Sequence, residues 1–296
     1  MRRIKFSVND IIDYPVDITV YEEFTHNDKP YVHVKDGRIN HYAICPKCNN
    51  PAIILGLYKR IDGVSPHARH TRYDVDGLAI HEDYYYEWCP NHRKNVEYVC
   101  EPRRDERTSF EINIYNAARE YFAQSILCIQ SAIGIYISDN LAKDIGRNYA
   151  LVGADMYRGA CIENIPCMMI FAYHGFSLYK KLIAVNNPMI PFLESCKNVR
   201  LKDYNDNYYL VDKNSEYLDL DMNISLCEST VQNDETVYYL TVVIGKPTDN
   251  GYFETLWKKK LVVDVSGFVE AINNQKNDTY RKKLSEIGLK TIPELT

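Results

Sequence analysis

What the chain lacks sets the first limits. It has no apolar run long enough for a membrane: its most apolar stretch, Ile126 to Ile137, spans 12 residues and is broken by Gln130 and Ser131, whereas a crossing helix needs about 20. No membrane association is expected. Met1-Arg-Arg-Ile-Lys5 begins like the charged start of a secretory leader, but Asn9, Asp10 and Asp13 stand where its apolar stretch would be, so no secretory signal is expected. Surplus positive charge is missing as well. Thirty-five Lys and Arg against 40 Asp and Glu leave a net charge of −5, which excludes a whole-molecule nucleic-acid footprint and leaves open only a local patch. Gly153, Gly159 and Gly175 match no phosphate-cradling spacing, and there is no internal repeat or low-complexity tract.

Cysteine is present, but not in the pattern of a disulfide framework. Nine is an odd number in a 296-residue chain long enough to bury a core without staples. The cysteines also fall into two classes. Cys128, Cys161, Cys167 and Cys227 lie in apolar runs, where free Cys acts as a small hydrophobe. Cys45, Cys48 and Cys89 lie among Pro, Lys, Asn and His. A reducing compartment accounts for both, and a cytoplasmic location is expected. The 25 tyrosines, with many Asn, Ile and Lys, fit an AT-rich bacterial genome or an acquired mobile element.

The polar cysteines belong to the stretch that organises the chain. Cys45-Pro-Lys-Cys48, His67-Ala-Arg-His70 and Cys89-Pro-Asn-His92 are three pairs with two residues inside each, separated by two intervals of 18 residues. Thiolates and imidazoles hold zinc, and a Cys-x-x-Cys turn presents two sulfurs to one ion at about 2.3 Å. A structural Zn2+ is therefore expected. Cys45, Cys48 and Cys89 are its three thiolate ligands, and either His70 or His92 is the fourth, with His67 behind them and Cys100 as a fallback. A redox role for Cys45 and Cys48 is disfavoured, because Asn49, Asn50 and Pro51 break the helix that would lower a thiol pKa. Over residues 45–92 the knuckle resembles zinc ribbons and treble-clef modules. That resemblance implies a structural metal and a recognition surface.

The surrounding pattern indicates an α+β protein of two domains: a zinc-ribbon-like β-rich module at 1–105 and an α+β domain at 106–296. In the first, Val16–Val20 and Tyr31–Val34 alternate as strands, Lys35-Asp-Gly-Arg38 reads as a hairpin turn, and Ile53–Tyr58 follows the knuckle as a strand. Residues 62–87 read as a loop that a ligand at His67 or His70 would tie down. In the second, helices are expected across 109–190, with Ser109 capping the first and further ones over 125–137, 139–150 and 177–185. Four strand-like runs at 207–211, 218–226, 236–244 and 255–263 predict an antiparallel sheet at 207–264. Leu218, Leu220, Met222, Ile224 and Leu226 would form its buried face, and a terminal helix at 266–288 would close the chain. Lys258-Lys-Lys260 reads as edge protection. His174, in an apolar run, reads as a core histidine. If a second ligand pocket exists, Asp155, Arg158, Glu163 and Asn164 are its residues.

For function, the ligand set is closed and no spare catalytic group stands at a recognisable spacing. This favours a non-enzymatic zinc-binding accessory protein that recognises nucleic acid or a protein partner. A rival is a metal-dependent hydrolase, most plausibly a nuclease using His67 or His70, with Asp74, Asp76, His81 and Asn91 in support; no ββα pattern follows the candidate base. A third reading is a non-catalytic component of a larger complex that docks through the C-terminal sheet. Tyr84-Tyr-Tyr86-Glu-Trp88 offers rings that could stack on bases, or the small core of a metal module. The segment 57–107 carries nine Lys and Arg against ten Asp and Glu, so it has no basic surplus.

Overall fold

The computed structural model describes the chain except residues 36, 60–63, 103, 215–217, 234, 249–251, 275–278 and 296. It is mixed α and β, with antiparallel sheets and helices in two compact units. The first comprises Met1–Ala117, Asp155–Glu163 and Ser229–Val237; the second comprises Ala118–Ala154, Asn164–Glu228 and Tyr238–Thr296.

In the first unit β1 (Arg3–Ile4) pairs with β2 (Tyr14–Pro15), and α1 (Ile18–Thr25) follows. Val16–Val20, expected as a strand, instead enters this helix. The Asp17 carboxylate accepts from the Thr19 and Val20 amides at 2.8 and 3.2 Å, and this cap overrides the β-branched alternation. Tyr21 and Thr25, four residues apart, form the buried face. A four-stranded antiparallel sheet runs in the order β3 (Val32–Lys35), β4 (Arg38–Ile44), β5 (Pro51–Leu55), β6 (His67–His70). Lys35 pairs with Arg38 across the hairpin, and Gly37 takes the positive φ of +72° that the turn requires; Asp36 lies outside the described residues. The small core holds Ile4, Phe6, Tyr21, Ala43, Ala52, Ile54, Leu57 and Ala68. The expected loop at 62–87 therefore contains a strand, β6, and a short helix, α2 (Asp83–Glu87); residues 62 and 63 are among those not described.

Strand β7 (Asn95–Tyr98) lies beside the hairpin tip at Ser229–Val237, with the Val231 amide on the Lys94 carbonyl at 2.9 Å. Helix α3 (Ser109–Glu120) starts from a reciprocal cap one residue earlier than the expected Ser109. Thr108 Oγ1 accepts from the Phe110 amide at 3.2 Å, and the buried Glu111 carboxylate accepts from the Thr108 amide at 2.9 Å.

The second unit opens with α4 (Phe122–Ile133), α5 (Asp139–Val152) and α6 (Ile165–Tyr173). Residues 177–185, expected as a helix, carry strands instead. β8 is Gly175–Ser177 and β9 is Leu182–Ala184, and β9 gains its ladder bonds by pairing with Tyr208–Leu210. Pro191 sits in the first turn of α7 (Ile190–Ser195), where its missing N–H costs nothing. β10 (Val199–Asn205) and β11 (Tyr208–Lys213) complete a three-stranded sheet in the order β10-β11-β9. The expected four-stranded sheet is thereby divided: β11 leaves it, and β12 (Asp221–Gln232) pairs with β8 and forms a meander with β13 (Glu235–Pro247) and β14 (Phe253–Val263).

The alternation expected along 218–226 holds through Met222 and Ile224 and then shifts phase. Leu226 is half-buried, and Cys227 and Ser229 become the inward residues. Lys258–Lys260 lie exposed on the edge strand β14. Helices α8 (Val265–Asn274) and α9 (Thr279–Thr291) end the unit. His174, expected in the core, is exposed at the C-terminus of α6 with φ 66° and ψ −61°.

Candidate metal centre

The knuckle joins β4 to β5. The Cys45 amide donates to the Asn50 carbonyl at 2.9 Å and the Asn49 amide to the Cys45 carbonyl at 3.0 Å, which closes a tight turn with Asn49 at φ 57°. Strand pairing then delivers the histidine. β5 and β6 pair Ala52 with His70, and the Thr71 amide donates to the Pro51 carbonyl at 2.9 Å, so His70 lies beside the residues that leave the knuckle. The third tether is Asn50, 1% exposed. It donates to the carbonyls of Cys48 (3.2 Å) and Glu82 (3.3 Å) and accepts from the Glu82 amide at 2.7 Å. Glu82 precedes α2, and Cys89 follows that helix with its amide on the Tyr86 carbonyl at 3.1 Å.

Cys45, Cys48, His70 and Cys89 thus converge, with their ligand atoms all within 4.8 Å of one another. Cys45 Sγ lies 3.7 Å from Cys89 Sγ; His70 Nε2 lies 3.3 Å from Cys48 Sγ and 3.7 Å from Cys89 Sγ. Three of the six edges are thus close to those of a tetrahedron around one ion, for which bonds of about 2.3 Å to sulfur and 2.0–2.1 Å to nitrogen give about 3.8 and 3.5 Å. A disulfide would need sulfurs about 2.05 Å apart, and all nine cysteines are free. The three thiols are buried and His70 is half-buried. The four residues can hold a metal ion.

The electrostatics fit a cation at the centre. Burial pushes the Cys48 and Cys89 thiols well above their usual range, and thiol–thiol contact with Cys45 adds to it. Burial opposes ionisation of Cys45 too, but hydrogen bonds from Cys48 and Cys89 and the charge of His70 overcome it and hold Cys45 well below that range. Burial and thiol–thiol contact thus oppose a second and a third thiolate, and a divalent ion would offset that opposition by stabilising all three.

Comparisons with protein-family models, with curated proteins and with solved structures return no match.

The remaining sequence candidates stand elsewhere. His92 is exposed, its ring stacked on Tyr86 with centroids 3.8 Å apart and 6.5 Å from the His70 centroid. Burial against Tyr86, then the positive charges of His70, Arg72 and Arg93, lowers its pKa. His67 opens β6, and the strand's period of two places it on the opposite face from Ala68 and His70; its Nδ1 faces the Ser65 carbonyl at 3.1 Å. Cys100 is half-buried and outside the cluster. Among the residues proposed for hydrolysis, Asp74 and Asp76 line a different cavity and His81 pairs with Asp83 at 2.9 Å. Asn91 Nδ2 donates to Cys45 Sγ at 3.4 Å. Asp155 pairs with Arg107 and Glu163 with Lys47, so both serve as ion-pair partners.

Two supporting residues carry no sequence signature. Asn50 is one. Lys5 is the other: it is 2% exposed, and its Nζ donates to Asn49 Oδ1 at 2.8 Å and to the Val8 carbonyl at 3.2 Å. Burial pushes its pKa down to about 8, while the nearby Asp10, Cys45 and Cys48 charges oppose that shift.

Proposed function

We propose that Cys45, Cys48, His70 and Cys89 hold one structural Zn2+, and that the protein is a non-enzymatic zinc-binding protein of the cell interior that recognises another macromolecule. The observation that carries this reading is the buried Cys3His tetrahedron. All four positions are filled by side chains, which is the arrangement of structural zinc; a catalytic ion keeps one position for water or substrate. The ligands come from a knuckle, a strand end and a turn far apart in sequence, so the ion's work is to fix those segments relative to one another. Its charge is −1 with three thiolates, and the buried Lys5 ammonium beside the knuckle offsets it. A rigid surface built in this way suits recognition rather than chemistry.

The test is elemental analysis by mass spectrometry on purified protein and on Cys48→Ser, His70→Ala and His92→Ala. One zinc per chain, lost in Cys48→Ser and His70→Ala and kept in His92→Ala, is the expected result. A native protein free of metal would refute the proposal.

A further inference from the structure

Beside His70 the first unit opens into a cleft of about 660 Å³. Its walls are β6 and the residues after it, together with the segment from Tyr86 to His92. We propose that this cleft binds single-stranded nucleic acid, with Arg69 and Arg72 on its phosphates and the Tyr86–His92 pair and Tyr73 against its bases. The proposal deepens the recognition reading given above and rests on it.

Three observations carry it. First, among the described residues no carboxylate lines the cleft. Asp74, Asp76 and Glu82 line a separate cavity of about 590 Å³, and Glu87 acts on His92 from outside the cleft lining. Second, Arg69 and Arg72 are exposed and form no ion pair among the described residues, and Arg72 stands over the Tyr86 ring at 5.6 Å. Guanidinium groups with no carboxylate partner are ready-made phosphate ligands. Third, the aromatic surface is real and accessible. His92 is exposed and stacks on the half-buried Tyr86 at 3.8 Å with planes 24° apart, and Tyr73 is 51% exposed. Guanidinium groups interleaved with aromatic faces are how sequence-tolerant single-strand sites are built, because every base has a π-face. A duplex buries those faces, and an acidic peptide has none to offer.

The experiment measures fluorescence anisotropy of a labelled oligothymidylate of about 12 nucleotides against the full-length protein across a salt series, with zinc content determined on the same samples. Binding that weakens with salt is expected. Arg69→Ala/Arg72→Ala should weaken it about tenfold or more and flatten the salt slope by about 1.4, two phosphate contacts at about 0.7 each. Tyr73→Ala should weaken it about fivefold or more. Both arginines are exposed, so the double variant keeps the fold and the metal. Zinc-loaded protein that does not bind the oligonucleotide, or a double variant that binds as well as the native chain, overturns this proposal and leaves the zinc reading intact. A duplex or a polyglutamate peptide binding as tightly, with the same dependence on Arg69 and Arg72, also overturns it. Metal-free protein that binds overturns the zinc reading alone.

Discussion

Loading the cluster with zinc should release two protons at a pH where ordinary thiols would release fewer than one. The number follows from the site. Cys45 is held below the usual thiol range, and Cys48 and Cys89 well above it, so the metal-free cluster enters the reaction with one thiolate and two thiols. Zinc requires three thiolates, and the two remaining protons must leave. Because protons are products of binding, affinity falls as pH falls. Two protons correspond to about 100-fold per pH unit, or ~2.7 kcal/mol at about 1.36 kcal/mol per proton per unit. Three independent thiols with pKa near 8.5 would be about three-quarters ionised at pH 9 and would release only about 0.7 proton in total. The assay is isothermal titration calorimetry under reducing conditions, with zinc delivered from a chelator of known affinity, in buffers of different ionisation enthalpy. A release of about 0.7 proton or less would refute the account of a crowded, buried thiol cluster. An affinity independent of pH would show that the thiols are not ligands.

Three further perturbations test how the rest of the molecule is held. Asn50→Ala removes the clamp between the knuckle carbonyl at Cys48 and both backbone groups of Glu82; zinc affinity in a competition titration should fall about 10- to 100-fold, the usual effect of losing a residue that orients ligands. Arg107→Ala breaks a bidentate pair with the fully buried Asp155, at 2.7 and 3.1 Å; urea unfolding should show a loss of about 3 kcal/mol, and a loss below about 1 kcal/mol would mean that Asp155 is held by its other contacts. Gly288→Ala would place a Cβ 2.4 Å from Phe122 Cβ and 2.7 Å from its Cγ; overpacking at that contact should cost about 1–3 kcal/mol in thermal unfolding, and a neutral result would show that α4 and α9 can move apart freely.

What the sequence made legible was short-range. The knuckle is readable because Cys45 and Cys48 are two residues apart and need only one turn to meet. The helix expected at 139–150 is a local pattern too and stands as α5. The position of His70 depends on the β5–β6 register, set between strands separated by residues 56–66, and local pattern carries no trace of that pairing. Once β6 is known to be a strand, its period of two separates His70 from His67 without further information. Local signals also misled where a stronger local bond opposed them. Val16–Val20 alternates like a strand, yet one carboxylate at Asp17 turned it into helix. Residues 177–185 look helical in isolation, but β9 gains a partner in β11 that no nearby residue announces.

Charge gives the sharpest contrast between a tally and an arrangement. The nine basic and ten acidic side chains of residues 57–107 cancel on paper and argue against any anionic ligand. In space they are unevenly distributed: Arg104 pairs with Glu82, whereas among the described residues no carboxylate lines the cleft that holds Arg69 and Arg72. Arg69, on the face of β6 that also carries His67, and Arg72, just past the strand, both line the cleft, whereas the turn that follows places Asp74 and Asp76 in the lining of another cavity. A field near a surface is set by charges within about one Debye length, some 8 Å at physiological salt, so the local sorting outweighs the balanced sum. A metal ion bound as proposed would make that arrangement durable. It would pin the end of β6 and the Tyr86–Cys89 turn to the same knuckle, and residues of those two segments line the cleft. Loss of such an ion would therefore loosen the cleft's walls.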